Sequence, residues 1–133
     1  MHEVIAVVVR AVVVVALAAL TAWLVDLGDE SVGANIGAGL LAFVIVIVVT
    51  LLWSLLDGRR SARFGPTFLR WLAVGVLVGV ASAVMAQGLV AGLDAGVLSA
   101  DFIGLTPFVI GLVGVPAAIG TGVGVLLGRH RRA

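Results

Sequence analysis

The chain has 133 residues, of which 62% are hydrophobic and only 11% charged, with a formal net charge of +1 and a mean hydropathy of +1.31. A soluble domain carries about 25% charged residues, so this composition cannot build a water-facing surface, and one membrane domain spanning residues 1–133 is expected. With no cysteine, disulfides, thiolate metal sites and thiol catalysis are excluded. The basic residues are gathered at segment ends, which suits anionic lipid headgroups and not nucleic acid.

Four apolar segments follow one another, each near the roughly 20 residues that a spanning helix needs. The first runs from about Val4 to Val25 and stops at Asp26-Leu27-Gly28. Its only arginine follows nine mostly apolar residues, the reverse of a signal peptide, so a retained helix is expected. The second runs from about Val32 to Leu56, with Ser31 as N-cap and Gly58 as the stop. The third follows Gly65-Pro66, from about Thr67 to Ala91. The fourth is expected to open at Thr106-Pro107, a capping hydroxyl before a proline whose missing N–H costs nothing, and to run to about Leu127. Ahead of it, Ala95–Leu105 is apolar enough to lie on the membrane surface.

All eight basic residues are arginines: Arg10, Arg59, Arg60, Arg63, Arg70, Arg129, Arg131 and Arg132. They open segment one, lie between segments two and three, or follow segment four. The other two connections hold Asp26, Asp29, Glu30, Asp94 and Asp101 and no base. Cytoplasmic loops retain Lys and Arg, so both termini are expected in the cytoplasm of a bacterial inner-membrane protein. Arg10 and Arg70 each open an outward-running helix, and Gly58-Arg59-Arg60 and Gly128-Arg129-His130 each close a returning one. This pattern would make the halves two hairpins in parallel repeat. Trp53 and Trp71 are expected at the cytoplasmic interface and Trp23 at the outer one.

Chemistry-bearing patterns are sparse. No His, Cys, Asp or Glu cluster has metal-ligand spacing, no paired carboxylates or nucleophile–base arrangement is visible, and no cofactor is implied. The carboxylates, Asp57 just past segment two among them, are expected outside the hydrocarbon. Arg10 falls about one turn inside it, and its side chain leans toward the N-terminus and can snorkel, with Glu3 two turns earlier as a partner. Arg70 has the same placement. Both arginines are interface anchors first and lipid-phosphate ligands second. Asn35 and Gln87 are the only amides and form a testable interhelical pair, as glue or on a substrate path. Small residues recur at four-residue spacing: Gly33 and Gly37; Gly75, Gly79 and Ala83; Gly120, Gly124 and Gly128. Such seams let helix backbones approach closely. Pro116, mid-segment, predicts a kink and is the hinge candidate.

Two short stretches resemble known families. Asn35-Ile36-Gly37-Ala38-Gly39 resembles the asparagine-led glycine motif of the fluoride channels, but their Thr/Ser-Phe-rich break is absent from Trp71–Ala91, and their dual insertion conflicts with the one-sided arginines. Phe68-Leu69-Arg70-Trp71-Leu72-Ala73-Val74-Gly75 resembles the arginine-aromatic-glycine opening of a small flippase-like family linked to polyprenyl-phosphate sugars, and Leu56-Asp57-Gly58-Arg59-Arg60 resembles its basic helix ends. In that family the opening belongs to the first helix; here it precedes the third.

The expectation is an all-α, four-helix membrane bundle without enzymatic activity. It would be a subunit packing through its glycine seams in a homo-oligomer or against a larger membrane partner. The alternatives are a small transporter or flippase-like protein using Arg10, Arg70, Asn35 and Gln87, and a homo-oligomeric channel lined by segments three and four.

Overall fold

The computed structural model describes residues 1–27, 32–86 and 94–130. Their secondary structure is α-helical throughout: α1 (His2–Asp26), α2 (Val32–Ser61), α3 (Phe64–Ala86) and α4 (Ala95–His130). All four are long and apolar enough to cross a membrane. The shortest, α3 with 23 residues, rises about 34 Å, enough for a hydrocarbon layer of about 30 Å. In lipid each backbone group must be bonded within its own segment, so a sequence this apolar has helices as its solution.

Several helix ends differ from those the sequence suggests, each for a local reason. Helix α4 begins at Ala95, not at Pro107, so Ala95–Leu105 is the first part of that helix. Asp94 makes the start: its Oδ1 accepts from the backbone N–H of Gly96 (2.8 Å) and Val97 (3.0 Å), satisfying two of the orphan donors of the first turn. Helix α2 runs through Gly58 to Ser61, and the chain turns at Ala62, whose φ of 53° is left-handed and whose N–H donates to the Gly58 carbonyl at 2.9 Å. Gly58 is therefore not a stop: a Cβ there would lie 2.6 Å from the Thr121 carbonyl oxygen. Helix α3 starts at Phe64, with Pro66 in the first turn, where its missing N–H leaves no bond unmade. Both Pro107 and Pro116 lie inside α4, which continues across them.

The helices form a four-cornered bundle. Both α1 and α4 pack against α2 and α3, while α1 and α4 face each other across the diagonal without backbone contact among the described residues. The register of contacts gives the directions. Gly120 meets Leu51, Gly124 meets Leu55, and Gly128 meets Arg59, so α2 and α4 run the same way. Gly79 meets Thr106 and Gly75 meets Ile110, so α3 and α4 run oppositely. Consequently the starts of α1 and α3 and the ends of α2 and α4 share one end of the bundle, and that end carries every described arginine. The core is built from small and β-branched residues, including Ala11, Val14, Val46, Val74, Val78, Val113 and Ala117, with Trp71 fully buried among them.

The tightest contact is between α2 and α4. A Cβ on Gly120 would collide with Ser54 Oγ and the Leu51 carbonyl, and one on Gly124 with the Leu55 carbonyl. At Gly128 it would fall 2.7 Å from the Arg59 carbonyl oxygen, and at Gly79 2.9 Å from Thr106 Cγ2. Backbone oxygens cannot move aside as side chains can, so glycine is required along this line. A Cβ on Gly37 would meet nothing within 4 Å among the described residues. Gly124→Ala should therefore destabilise the folded bundle by about 1–3 kcal/mol through overpacking. Gly37→Ala should stay within about 1 kcal/mol of wild type, on the favourable side if helix propensity decides. Reversible unfolding by SDS titration in mixed micelles, followed by far-UV circular dichroism, distinguishes the two.

Candidate functional site

The arginine-bearing end of the bundle holds a buried ion pair. Asp57 projects from the last turns of α2 and is 8% exposed. Arg10, two turns into α1, reaches it as a fork: Nε donates to Oδ2 at 3.1 Å, and Nη2 donates to Oδ1 at 3.0 Å and Oδ2 at 2.9 Å. Nη1 donates to the Ala6 carbonyl on its own helix at 2.8 Å. From α3, the Trp71 indole Nε1–H donates to Asp57 Oδ2 at 3.2 Å. One carboxylate thus gathers donors from two other helices.

Aromatic faces complete the enclosure. The Arg10 guanidinium carbon lies 5.4 Å from the Trp53 ring centroid and 5.9 Å from that of Trp71, within cation–π range. The two indoles meet edge to face at 6.1 Å. Planarity suits arginine to this position, because it can bond a carboxylate in its plane while stacking against rings. The side chains of Arg10 and Asp57 are only 11% and 9% exposed, so each would be costly to bury alone.

Asp57 is the residue that the sequence reading missed. Its surroundings carry a periodic signal: Thr50, Ser54, Asp57 and Ser61 recur at spacings that place them on one face of α2, the helical face rule applied to polar residues. Thr50 and Ser54 are fully buried, and Ser61 Oγ shares a 2.7 Å hydrogen bond with Thr67 Oγ1. The expectation that carboxylates lie outside the apolar interior fails at Asp57, because the fork from Arg10 neutralises its charge inside the bundle. Trp71 is likewise not a peripheral belt residue, since Asp57 gives its N–H a buried acceptor.

The other sequence candidates fall in different places. Glu3 pairs with Arg70, not with Arg10. That contact is peripheral, the Glu3 side chain being 73% exposed and that of Arg70 24%. Gly75, Gly79, Gly120, Gly124 and Gly128 all face helices of the same chain, and Ala83 is fully buried. Pro116 is a buried residue of α4. Gly33 and Asn35 lie in the first turns of α2, where side-chain surroundings are outside the described residues, and Gln87 is outside them altogether, as is the proposed pair between the amides. Among the described residues no group of three or more His, Cys, Asp or Glu could hold a metal ion.

Comparison with protein-family models, curated proteins and solved structures gives no match for this chain. Its chemistry therefore rests on its own geometry, and the two ion pairs should behave differently. Trp71→Phe removes a hydrogen bond to a buried charge and should cost about 1.5–3 kcal/mol of stability. Glu3→Gln breaks a solvated pair and should cost under about 1 kcal/mol. Both are measurable by the same SDS titration, followed by far-UV circular dichroism.

Proposed function

We propose that this chain is a non-enzymatic integral membrane protein of the bacterial plasma membrane, with both termini in the cytoplasm, acting as a subunit of a homo- or hetero-oligomeric complex. The observation that carries the reading is the internal closure of the Arg10–Asp57 pair. Donors on each nitrogen of Arg10 end on the chain itself, which leaves it no lone charge with which to hold a lipid phosphate. The perimeter that remains is apolar over most of the span, including Val8, Val12, Leu40, Val44, Leu52 and Val123. Such a surface suits lipid and other helices and not a polar cargo.

Of the glycine seams that the spacing suggests, the one on α2 is left for assembly. The glycines of α3 and α4 are engaged within the bundle, so a channel lined by those faces would have no face to line it. On α2 a Cβ at Gly37 or Gly39 would meet nothing within 4 Å among the described residues, and the adjacent Ile36 and Leu40 are exposed. Close approach of another helix there would gain van der Waals contact that lipid does not supply. The one-sided arginines support the cytoplasmic placement of the termini through the cost of translocating them, and anionic headgroups are the expected lipid partners of Arg59, Arg60, Arg63 and Arg129.

The transporter or flippase-like reading keeps one supporting observation. Among the described residues Arg70 Nε is buried without a hydrogen-bond partner, and the Glu3 carboxylate that pairs with this side chain is exposed enough to be replaced by a lipid phosphate.

Two measurements test the proposal. The chain lacks cysteine, so single replacements report topology: in intact cells an impermeant maleimide should label Ser99→Cys and spare Ser61→Cys. Native mass spectrometry after gentle extraction should show a second copy or a larger partner, lost in Gly37→Leu. A monomeric wild-type chain, combined with lipid transport that Arg70→Gln abolishes, would transfer the weight to the flippase-like reading.

A further inference from the structure

Beyond the ion pair, the bundle is not filled. A partly open cavity of about 310 Å³ lies between the four helices, lined by Val15, Ala18, Phe43, Val78, Ser82 and Leu112 among others. On the α2–α4 side of the bundle lies a longer groove of about 520 Å³, lined by Ile47, Leu51, Phe108, Leu112, Val115 and Ile119 among others. Leu112 lines both spaces. Phe43 lines the cavity and Phe108 the groove, and their rings meet edge to face at 5.6 Å. These three side chains are thus the partition between an outward-facing groove and the centre of the bundle.

Packed interiors keep few voids larger than a water molecule, so a space of this size has room for a guest. Water is a poor occupant, because it needs two to four polar partners and Ser82 supplies the only side-chain hydroxyl in the lining. A helix is too wide, since α2 and α4 are in backbone contact at Gly120, Gly124 and Gly128, immediately beyond the groove. A flexible unbranched hydrocarbon fits both the chemistry and the width. Gly111 keeps the groove floor bare, with nothing within 4 Å of a would-be Cβ.

We propose that the acyl chain of a membrane phospholipid occupies the α2–α4 groove and passes Phe43 and Phe108 into the central cavity. The two phenylalanine rings act as its gate, and α4 supplies the wall through Pro107, Gly111 and Pro116. This site depends on the four helices lying in a bilayer; it does not depend on the chain being a subunit.

The test uses the full chain in vesicles of phosphatidylethanolamine and phosphatidylglycerol, doped with a phospholipid carrying a diazirine near the end of one acyl chain. After irradiation, adducts are mapped by peptide mass spectrometry. Adducts are expected on Val78 and Val109, which are each 5% exposed and out of reach of lipid confined to the perimeter. Ala18→Phe, which fills the cavity, should lower these interior adducts at least ten-fold and leave those on Ile119. Phe43→Ala, which opens the gate, should raise interior labelling several-fold and serves as the deciding variant if Ala18→Phe does not fold. Adducts confined to groove and perimeter residues in wild type, unchanged in Phe43→Ala, would overturn the proposal.

Discussion

One buried carboxylate organises the arginine-bearing end of this bundle. Asp57 on α2 draws the guanidinium of Arg10 from α1 and the indole N–H of Trp71 from α3. Hydrophobic burial gives no reason for helices to associate in lipid, where the surroundings are as apolar as the side chains. Directional interactions and close backbone packing must do it instead. Helix α1 shows why this matters, because among the described residues it makes no backbone contact with α4 and its wall is largely exposed valine and leucine. Its attachment rests on the fork to Asp57, the outer contact of Glu3 with Arg70, and the small core residues Ala11 and Val14.

The other half of the architecture follows a different rule. Helices α2 and α4 run side by side in the same direction and approach until glycine hydrogens touch carbonyl oxygens. No charge is needed there, since the contact is a matter of shape and dispersion. The bundle thus combines a polar clasp that holds α1 with a backbone seam that holds α4, and α3 contributes to both through Trp71 and Gly79. The most conspicuous glycines, those of α3 and α4, thus serve the fold of the single chain. The space beyond the clasp is lined by apolar side chains apart from Ser82, and Phe43, Phe108 and Leu112 stand between it and the α2–α4 groove.

Much of this was legible from residue types. Four spanning helices follow from apolar length alone, and the gathering of arginines at one end follows from which connections contain them. The glycine spacing announced close contact but not its partner, because Gly124 reads the same whether it faces Leu55 of its own chain or another copy. The start of α4 was hidden because Thr106-Pro107 is a good local signal, yet Asp94 caps a helix twelve residues earlier and proline does not interrupt it there. Asp57 was hidden for a related reason. Beside Gly58, Arg59 and Arg60 it reads as part of a solvated helix end, and only its register with Thr50 and Ser54 shows that it points inward.

The most direct measurement of the central claim is a double-mutant cycle on Arg10→Gln and Asp57→Asn, with unfolding free energies measured in bicelles by steric trapping. Breaking either side of a buried pair should cost about 3–5 kcal/mol, and the double variant should recover part of that loss, giving a coupling energy of about 1.5 kcal/mol or more between these contacting residues. Additive effects, with coupling near zero, would show that the two side chains do not depend on each other and would contradict the clasp.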